Sequence, residues 1–436
     1  MKSLRSNMYK KINYIAAVLV VFTGITAQAQ ITSQSPYSRY GLGNVKPLVL
    51  PQFRAMGGIS AGVYKPNGYN NINMQNPASY AGISMTTADV GLSGTINTLK
   101  QGSLSEKSFN GSLGHIAFAF PVIQGKTGLS FGLMPFTQVG YDYQTSNQLD
   151  GSEVIRTFTG QGGLSKAYLG VGQAIGENFR VGANVEYIFG DLQNNSTYEL
   201  QRPNAVYTRE QDKNSVGGVS FSYGAQYEIK LGTKKRITLG YSGSASSNVN
   251  STRTYVASQF FRQADGEDAG VSDTLSIIDG AKSSLKLPLT HNFGFTIQKD
   301  NKWLIGADYR MGGWKKLTIA GVNQGLQDSW GVSAGGQYTP DISSINNYFA
   351  RVDYRIGYTY DKTYIQRDGM DIKQQAVTFG LGLPMASSRY SIYKMNVTAE
   401  VGQRGTLSKG LVKENYINLH LAFTLNDTWF IKNKLY

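Results

Sequence analysis

The side chains that most often carry out chemistry are scarce in this sequence. It contains three histidines, His115, His291 and His420, and no cysteine. A hydrolase with a serine or aspartate nucleophile needs a histidine held beside that nucleophile, and no spacing in the sequence predicts such a pair. The histidines are more typical of hydrogen-bonded interior residues. We therefore expect no catalytic site and no enzyme activity.

Metal and cofactor sites are not predicted either. Asp265, Glu267 and Asp268 could bind calcium, but three acids so close together are more typical of a solvated loop. The glycines fall at strand spacing rather than in a phosphate-binding loop, and the absence of cysteine excludes thiolate ligands. The sequence thus indicates no metal and no cofactor.

Charged residues recur instead at alternate positions of strand-like segments. Arg351, Asp353 and Arg355 alternate with apolar residues, and Asp308 and Arg310 do so in an earlier segment. Successive side chains of a strand point to opposite faces, so these charges would line a polar interior. Two interpretations stay open: an ion network that holds an inserted segment, or a selectivity filter.

Segments with this period of two recur about fourteen times from residue 85 onward. Connections after the even-numbered segments are short, while those after the odd-numbered ones are mostly longer and polar, the largest near 247–282. A closed barrel in an outer membrane has this asymmetry. The expected fold is all-β, a transmembrane antiparallel barrel of about 14 strands over 85–436 in a Gram-negative outer membrane. The expected strands are 85–97, 109–120, 127–144, 155–175, 179–197, 210–231, 236–254, 282–298, 302–316, 327–338, 348–361, 373–384, 390–404 and 415–425.

The first 29 residues resemble a secretory signal peptide. A basic stretch precedes an apolar stretch from Tyr14 to Ile25, and Ala27-Gln28-Ala29 forms a cleavage site. The apolar stretch is shorter than the roughly 20 residues that a membrane-spanning helix needs. We expect residues 1–29 to be removed.

The chain is basic, with a formal charge of +14 from 42 Lys and Arg and 28 Asp and Glu. Loss of four basic residues with the signal peptide leaves 38 minus 28, or +10. These charges are spread over turns, loops and one strand face, without a basic helix or block. They indicate contacts with outer-membrane lipids and a basic lumen rather than nucleic-acid binding.

Residues 30–84 differ from the rest of the chain. They are rich in Gly, Pro, Asn and Ser and lack sustained alternation, yet they contain apolar residues such as Leu42, Phe53, Met56 and Ile59. A disordered tail would lack this apolar content. We therefore favour a folded plug inside the barrel over a periplasmic tail.

Four stretches carry a resemblance to a known family: Arg54–Gly62 followed by Asn76–Tyr80; Leu287-Pro288-Leu289 followed by Trp303–Tyr309 and Trp314; Arg355–Asp361; and Asn426–Lys432. In order and spacing they resemble the long-chain fatty-acid transporter (FadL) family of outer-membrane barrels, in its Bacteroidota-type branch. The resemblance covers nearly all of 36–436.

The resemblance implies roles for particular residues. Residues 30–84 would form the family's hatch, held by Gly57, Gly58, Asn76, Pro77 and Ala78. Strand three would kink inward at Pro135 and Phe136 and open a gap in the barrel wall. Proline cannot donate to a sheet ladder, so a harmless bulge at Pro135 is the alternative.

Three functions stay open on this basis. The first is passive transport of fatty-acid-like molecules, with a hydrophobic ligand, lipid or detergent in the lumen and lateral release at strand three. The second is a non-transporting accessory barrel of an outer-membrane protein assembly or type 9 secretion complex. Its docking surfaces would be the 247–282 loop and the motif Ser35–Gly41. The third, an open porin, is disfavoured by the plug.

Overall fold

The structure is a computed structural model that describes residues 35–202, 205–262, 268–385 and 391–428. The predicted signal peptide, Asp265, Glu267 and the C-terminal Trp429–Lys432 lie outside the described residues. Within the described part, no helix is long and apolar enough to cross a membrane.

Fourteen antiparallel strands form the wall, as the alternation predicts. Three of them are broken into a lower part, near the short turns, and an upper part. The strands are β1 Thr86–Gln101, β2 Leu104–Ile123, β3 Thr127–Pro135 and Thr137–Leu149, β4 Ser152–Ile175, β5 Phe179–Leu200, β6 Tyr207–Lys230, β7 Lys235–Ser244 and Asn248–Arg262, β8 Asp268–Lys286 and Thr290–Lys299, β9 Trp303–Gly312, β10 Ser329–Tyr338, β11 Asp353–Arg367, β12 Met370–Pro384, β13 Ser391–Gly405 and β14 Lys413–Asp427.

The sheet closes because its first and last strands pair over their whole length. Thr86 lies opposite Asp427 at one end of the β1–β14 ladder, and Lys100 lies opposite Lys413 at the other. Other neighbours in the wall pair with the next strand along the chain. Closure satisfies backbone groups that would otherwise face lipid without a partner.

The two faces of the wall follow the predicted alternation. Outward positions such as Ile356, Ile417 and Leu419 are apolar and exposed, whereas inward positions such as Asp353 and Arg355 are buried and polar. An apolar outer face and a polar interior are what a barrel in lipid requires.

The prediction of long loops at the upper end is wrong for most connections. The polar segments there continue as strands, so β4 and β6 have 24 residues each and β5 has 22. The expected loop at 247–282 is largely two paired strands, the upper parts of β7 and β8. About 9–11 residues suffice to cross a bilayer, so these strands extend well beyond it. Polar alternation outside the membrane has the same period as a strand within it, so polarity alone does not mark a loop.

Residues 35–84 lie in the lumen and are called the hatch. They form short elements only: 3-10 helices at Pro36–Arg39, Pro66–Gly68 and Pro77–Gly82, a helical turn at Pro51–Arg54 and a two-residue strand at Asn44–Val45. Further 3-10 turns lie outside the hatch at Trp314–Lys316, Phe349–Arg351 and Ser408–Gly410, and a small hairpin joins Thr318–Ile319 to Val322–Asn323. The hatch contacts strands on all sides of the barrel, so it occupies the interior.

Glycines of the wall bring the hatch backbone into direct contact with the strands. A side chain at Gly240 would overlap the carbonyl of Ala61, and one at Gly357 would overlap the backbone of Met56 and Gly57. Similar contacts are made by Gly128, Gly172, Gly182 and Gly335, on β3, β4, β5 and β10. The hatch is therefore seated on the wall from several directions without intervening side chains.

We predict that Gly240→Val destabilises the protein by about 1–3 kcal/mol, because the added side chain meets backbone that cannot move aside. The measurement is the temperature at which the barrel loses its folded mobility in gel electrophoresis. Gly111→Val is the matched control, since a Cβ at Gly111 meets only the Phe109 ring at ordinary contact distance. Equal shifts for the two variants would contradict the tight seating of the hatch.

Candidate functional site: the hatch and the gap in strand three

The hatch turns sharply where the sequence places its two paired glycines. Gly57 and Gly58 have φ angles of 71° and 83°, a conformation that glycine adopts without strain. The amide of Gly57 donates to Thr378 Oγ1 at 2.9 Å, and that hydroxyl donates to the carbonyl of Ala55 at 3.1 Å. The turn is thereby fixed to β12.

Asp308 holds the next part of the hatch. It is 3% exposed, and its Oδ2 accepts hydrogen bonds from the amides of Ser60 at 2.8 Å and Ala61 at 3.0 Å. A carboxylate that accepts from buried amides makes strong, charge-assisted bonds. The predicted lumen charge is thus a contact between β9 and the hatch.

Asn76 joins the last hatch helix to the wall. Its Oδ1 accepts from the amide of Ala78 at 3.1 Å, and Pro77 occupies the first helical position, where proline fits well. Its Nδ2 donates to the Ala61 carbonyl at 2.7 Å and lies within 3.4 Å of the carbonyls of Ala225 and Tyr241. One side chain therefore caps the helix and ties two hatch segments to β6 and β7.

A second buried group of charges lies around Asp353. Its carboxylate accepts from Arg355 at 2.9 Å and from Lys394 at 2.6 Å. It also accepts from Asn67 of the hatch at 2.9 Å, while Lys394 lies 3.7 Å from the centre of the Tyr69 ring. These contacts favour an ion network that holds the hatch over a selectivity filter, because the charges are already paired.

The other two predicted lumen charges lie elsewhere. Arg310 is half-buried and pairs with Asp361 at 2.8 Å. Arg351 does not lie in a wall strand, because β11 begins only at Asp353. It sits in the 3-10 turn Phe349–Arg351 beside the Tyr348 ring. The alternation continues through that turn, so the sequence pattern alone could not mark where the strand starts.

An ion pair that the sequence did not indicate fixes the start of the hatch. Glu414 accepts from Arg404 Nε at 2.8 Å and from the Ser35 hydroxyl at 2.6 Å. Arg404 also donates to Asn44 Oδ1 at 2.8 Å. Ser35, Tyr37 and Ser38 are buried, so the Ser35–Gly41 motif is an internal anchor and not the docking surface that the sequence suggested. In the sequence, the Arg404–Glu414 pair is indicated only by the inward-facing positions of these two charges near the ends of β13 and β14.

Strand three breaks where the sequence places its proline. The lower part of β3 ends at Pro135 and pairs with β2 as far as Ile116, which lies opposite Leu133. The amide of Phe136 turns away to the Leu164 carbonyl at 2.8 Å, next to Gly162 and Gly163 of β4, which have positive φ. Above the break, the described part of β3 pairs with β4 and the hatch but not with β2.

A gap therefore separates residues 104–114 of β2 from residues 141–149 of β3; we call it the seam. In this part of the described chain, 104–114 pair only with β1 and 141–149 only with β4. The kink at Pro135 is thus more than a local bulge, since it changes the pairing of the whole upper half of the strand.

The hatch covers the lowest part of the β3 edge from inside. Asn44 and Val45 pair antiparallel with Gln138 and Thr137. The amide of Lys46 donates to the Phe136 carbonyl at 2.9 Å, and the amide of Ser35 donates to the Gly140 carbonyl at 2.9 Å. The hatch therefore takes the place of β2 as partner of residues 136–140.

Two apolar clusters fill the lumen around the hatch. The upper one packs Tyr37 and Leu42 against Trp314 and Tyr364, whose rings stack at 4.5 Å, and Phe136 packs at its margin. The lower one surrounds Phe53, Met56 and Tyr80. A small cavity of about 10 Å³ lies within the hatch itself, lined by polar residues such as Asn70, Asn73 and Ser79 and by apolar residues such as Phe53 and Ile83.

The described residues contain no group of three or more His, Asp or Glu side chains that could hold a metal. His115 is buried and hydrogen-bonded to Asp89 at 2.6 Å, and His291 bonds the Tyr241 hydroxyl at 2.8 Å. None of these contacts brings a serine or threonine hydroxyl to a histidine as an activated nucleophile.

Comparison with known proteins identifies the family. A family model described as BamG matches residues 8–436, nearly the whole chain. The chain belongs to the BamG family. No curated protein matches it significantly.

The chain shares its fold with solved outer-membrane channels of the FadL type, as the sequence resemblance implies. It is similar to the toluene transporter TbuX of Ralstonia pickettii, with a TM-score of 0.56 at 14% identity over 88% of this chain and 99% of that one. It also resembles the CymD monoaromatic hydrocarbon channel, with a TM-score of 0.55 at 13% identity over 89% of this chain and 99% of that one. A FadL homologue of Pseudomonas aeruginosa has a TM-score of 0.55 at 11% identity over 89% of this chain and 100% of that one. At identities this low, the similarity shows a shared fold and nothing further.

This fold and the apolar outer band place the chain in the outer membrane. The band runs from Val90 to Ile96 on β1 and from Ile417 to Leu425 on β14. The short turns then face the periplasm and the long upper strands face outward.

We predict that Asp308→Ala loosens the hatch locally, because two buried amides lose their acceptor. The cost is about 3 kcal/mol, which corresponds to amide hydrogen exchange on the order of a hundredfold faster at residues 58–63. Mass spectrometry of exchanged peptides measures this. Asp308→Asn keeps an oxygen acceptor and should have a smaller effect, and Asp341→Ala, in an exposed turn, should have none. Unchanged exchange in Asp308→Ala would show that the carboxylate does not hold the hatch.

Proposed function

We propose that this protein is an accessory barrel of an outer-membrane protein complex, with a hatch that stays in place while the protein works. The observation that carries the proposal is the direct seating of the hatch backbone on wall glycines such as Gly240 and Gly357. Passage through the lumen would require these contacts to separate on several sides at once.

Hydrogen bonds add to this cost. Hatch amides and carbonyls are bonded by Asp308, Thr378 and Gln226, and by Thr296, which donates to the Gly62 carbonyl at 2.7 Å. Each buried group left unpaired costs about 1–3 kcal/mol. Full displacement of the hatch is thus unfavourable by many times the thermal energy unless a partner drives it. In this proposal, Gly57, Gly58 and Asn76–Ala78 shape the hatch, and Asp308, Asp353 and Arg355 hold it.

The upper strands supply a surface for partners. β4 to β8 rise above the membrane as a continuous sheet, and Val271 and Ile277 of β8 are 67% and 66% exposed. Exposed apolar residues on a strand edge are typical of interaction sites. Membership of the BamG family favours an outer-membrane protein assembly over a secretion complex.

Passive transport of hydrophobic molecules is the second candidate. It is supported by the shared fold with channels for toluene and other monoaromatic hydrocarbons and by the break at Pro135 and Phe136. A ligand would pass the Phe136 ring and leave through the seam into lipid, driven by about 0.8 kcal/mol for each methylene group buried. Fatty acids and aromatic hydrocarbons are both chemically suited to such a route.

An engineered disulfide separates the two candidates. Asn44 and Gln138 are directly opposed in an antiparallel pair, where Cα atoms lie about 4.5–5.5 Å apart, within the range for a disulfide. The chain has no native cysteine, so Asn44→Cys with Gln138→Cys forms one defined bond between hatch and wall. We expect the oxidised variant to keep its protein partners in native mass spectrometry of gently extracted membranes.

The control is a wall–wall disulfide at Ile356→Cys and Phe379→Cys, two exposed residues paired across β11 and β12. Uptake of radiolabelled toluene and oleate by cells is measured in parallel, with and without reductant. Uptake that stops on oxidation of the hatch variant alone and returns on reduction would instead support transport. If native mass spectrometry finds both the wild-type protein and the variant as single barrels without protein partners, the subunit proposal is rejected.

A further inference from the structure

Among the residues that the structure describes, the seam leaves backbone groups without partners at a depth where the wall faces lipid. Phe109 and Leu113 of β2 are exposed on the outer face, and Phe109 lies opposite Ile96 of β1, within the apolar band. Unpaired amides and carbonyls are costly at membrane depth, where water cannot bond them. Residues 109–114 of β2 therefore present an edge that requires a cover.

The geometry of this edge is regular. Residues 104–113 of β2 pair with β1 without a shift of register, and 141–149 of β3 pair with β4 in the same way. Free strand edges are commonly blunted by bulges, proline or inward charges. The first bulge in the ladder with β1 has Gly114 as its extra residue, so 104–113 contain neither a bulge nor a proline. The charged residues Glu106 and Lys107 lie opposite Leu99 and Thr98, beyond Ile96, which is the last exposed apolar residue of β1. From Phe109 to Leu113, within the apolar band, the edge keeps the form that pairs with another strand.

The same opening already accepts an extended segment lower down. Asn44 and Val45 of the hatch pair with β3 just above the break. A segment from outside the wall thus already pairs with backbone groups at this opening. The hatch reaches only residues 136–140 of β3, however, and does not pair with the edge of β2.

We propose that the free edge of β2, residues 104–114, binds an extended β-strand of another outer-membrane protein by strand addition. The faces of β2 define that strand. Phe109 and Leu113 point outward to lipid, while Asn110 and Ser112 point inward to the polar lumen. A strand that continues both faces alternates apolar and polar residues, which is the pattern of a transmembrane barrel strand. This inference rests on the proposed function and names the chemistry of the partner segment.

The first test uses a synthetic probe on the full-length protein in detergent. The probe is a fluorescent eleven-residue peptide that alternates leucine and threonine; its control carries N-methyl groups on alternate amides. We expect the first peptide to bind and the N-methylated one not to, because strand addition depends on backbone bonds. Equal binding of the two peptides would overturn the proposal.

Two matched variants locate the site. Phe109→Lys places a charge on the free edge, and Ile96→Lys places the same charge opposite it, at the same depth, on a strand with both edges paired. We expect roughly tenfold weaker peptide binding for Phe109→Lys and little change for Ile96→Lys. Equal loss in both variants would show that binding does not use the β2 edge.

A photo-reactive amino acid at position 109 or 96 then tests the edge in native membranes. We expect position 109 to cross-link a segment of an outer-membrane protein whose sequence alternates apolar and polar residues, as identified by mass spectrometry, and position 96 to cross-link lipid. The proposal would be overturned if position 109 cross-links only small hydrophobic molecules, or if it cross-links residues from the start of this same chain. If partner proteins co-purify yet none cross-links at 109, the subunit function stands and this docking site fails; if none co-purifies, the function itself fails.

Discussion

Backbone hydrogen bonding without water is the constraint on which this structure depends. In the wall the constraint is met by closure, since β1 pairs with β14 along its length. The hatch has almost no regular structure of its own, so its amides and carbonyls must be paired by other means. Side chains of the wall do this: Asp308, Thr296 and Thr378 bond the segment from Ala55 to Gly62. Wall glycines allow the close approach that these short side chains need. The polar interior of the barrel is thus a set of acceptors and donors matched to one irregular segment.

The fold was predictable from the sequence because it depends on a period that the sequence displays openly. Lipid on one side and a polar interior on the other force alternation on every strand, and the number of strands followed from counting. Strand ends were less predictable, since polar alternation continues beyond the membrane in β4 to β8 and through the turn that holds Arg351. Tertiary pairing, and not local pattern, decides where such strands stop.

The site was predictable only in part, for a similar reason. Gly57, Gly58 and Asn76–Ala78 have local signatures, because a positive φ and a helix cap depend on neighbouring residues. The contacts of Asp308 with Ser60 and Ala61, and of Glu414 with Ser35, join residues more than 240 positions apart. The sequence indicated that such charges face inward, but it held no signal for their partners. It predicted a plug that includes Ser35–Gly41, but it did not indicate that Arg404 and Glu414 would hold the start of that segment.

The break at Pro135 has unequal consequences for the two strands that it separates. Pro135 lacks an amide hydrogen, and the amide of Phe136 bonds to Leu164 of β4. The upper part of β3 therefore stays paired with β4 but is not paired with β2. It gains Asn44 and Val45 as new partners and buries Tyr141 in the upper cluster. Among the described residues, β2 gains no new partner in exchange. One proline thus couples a better-anchored hatch to an exposed strand edge. A channel for small molecules requires a hole at this position, but it does not require that the edge remain regular for ten residues. A regular edge is instead what strand addition requires, and on this ground the geometry of β2 favours a polypeptide partner over a diffusing ligand.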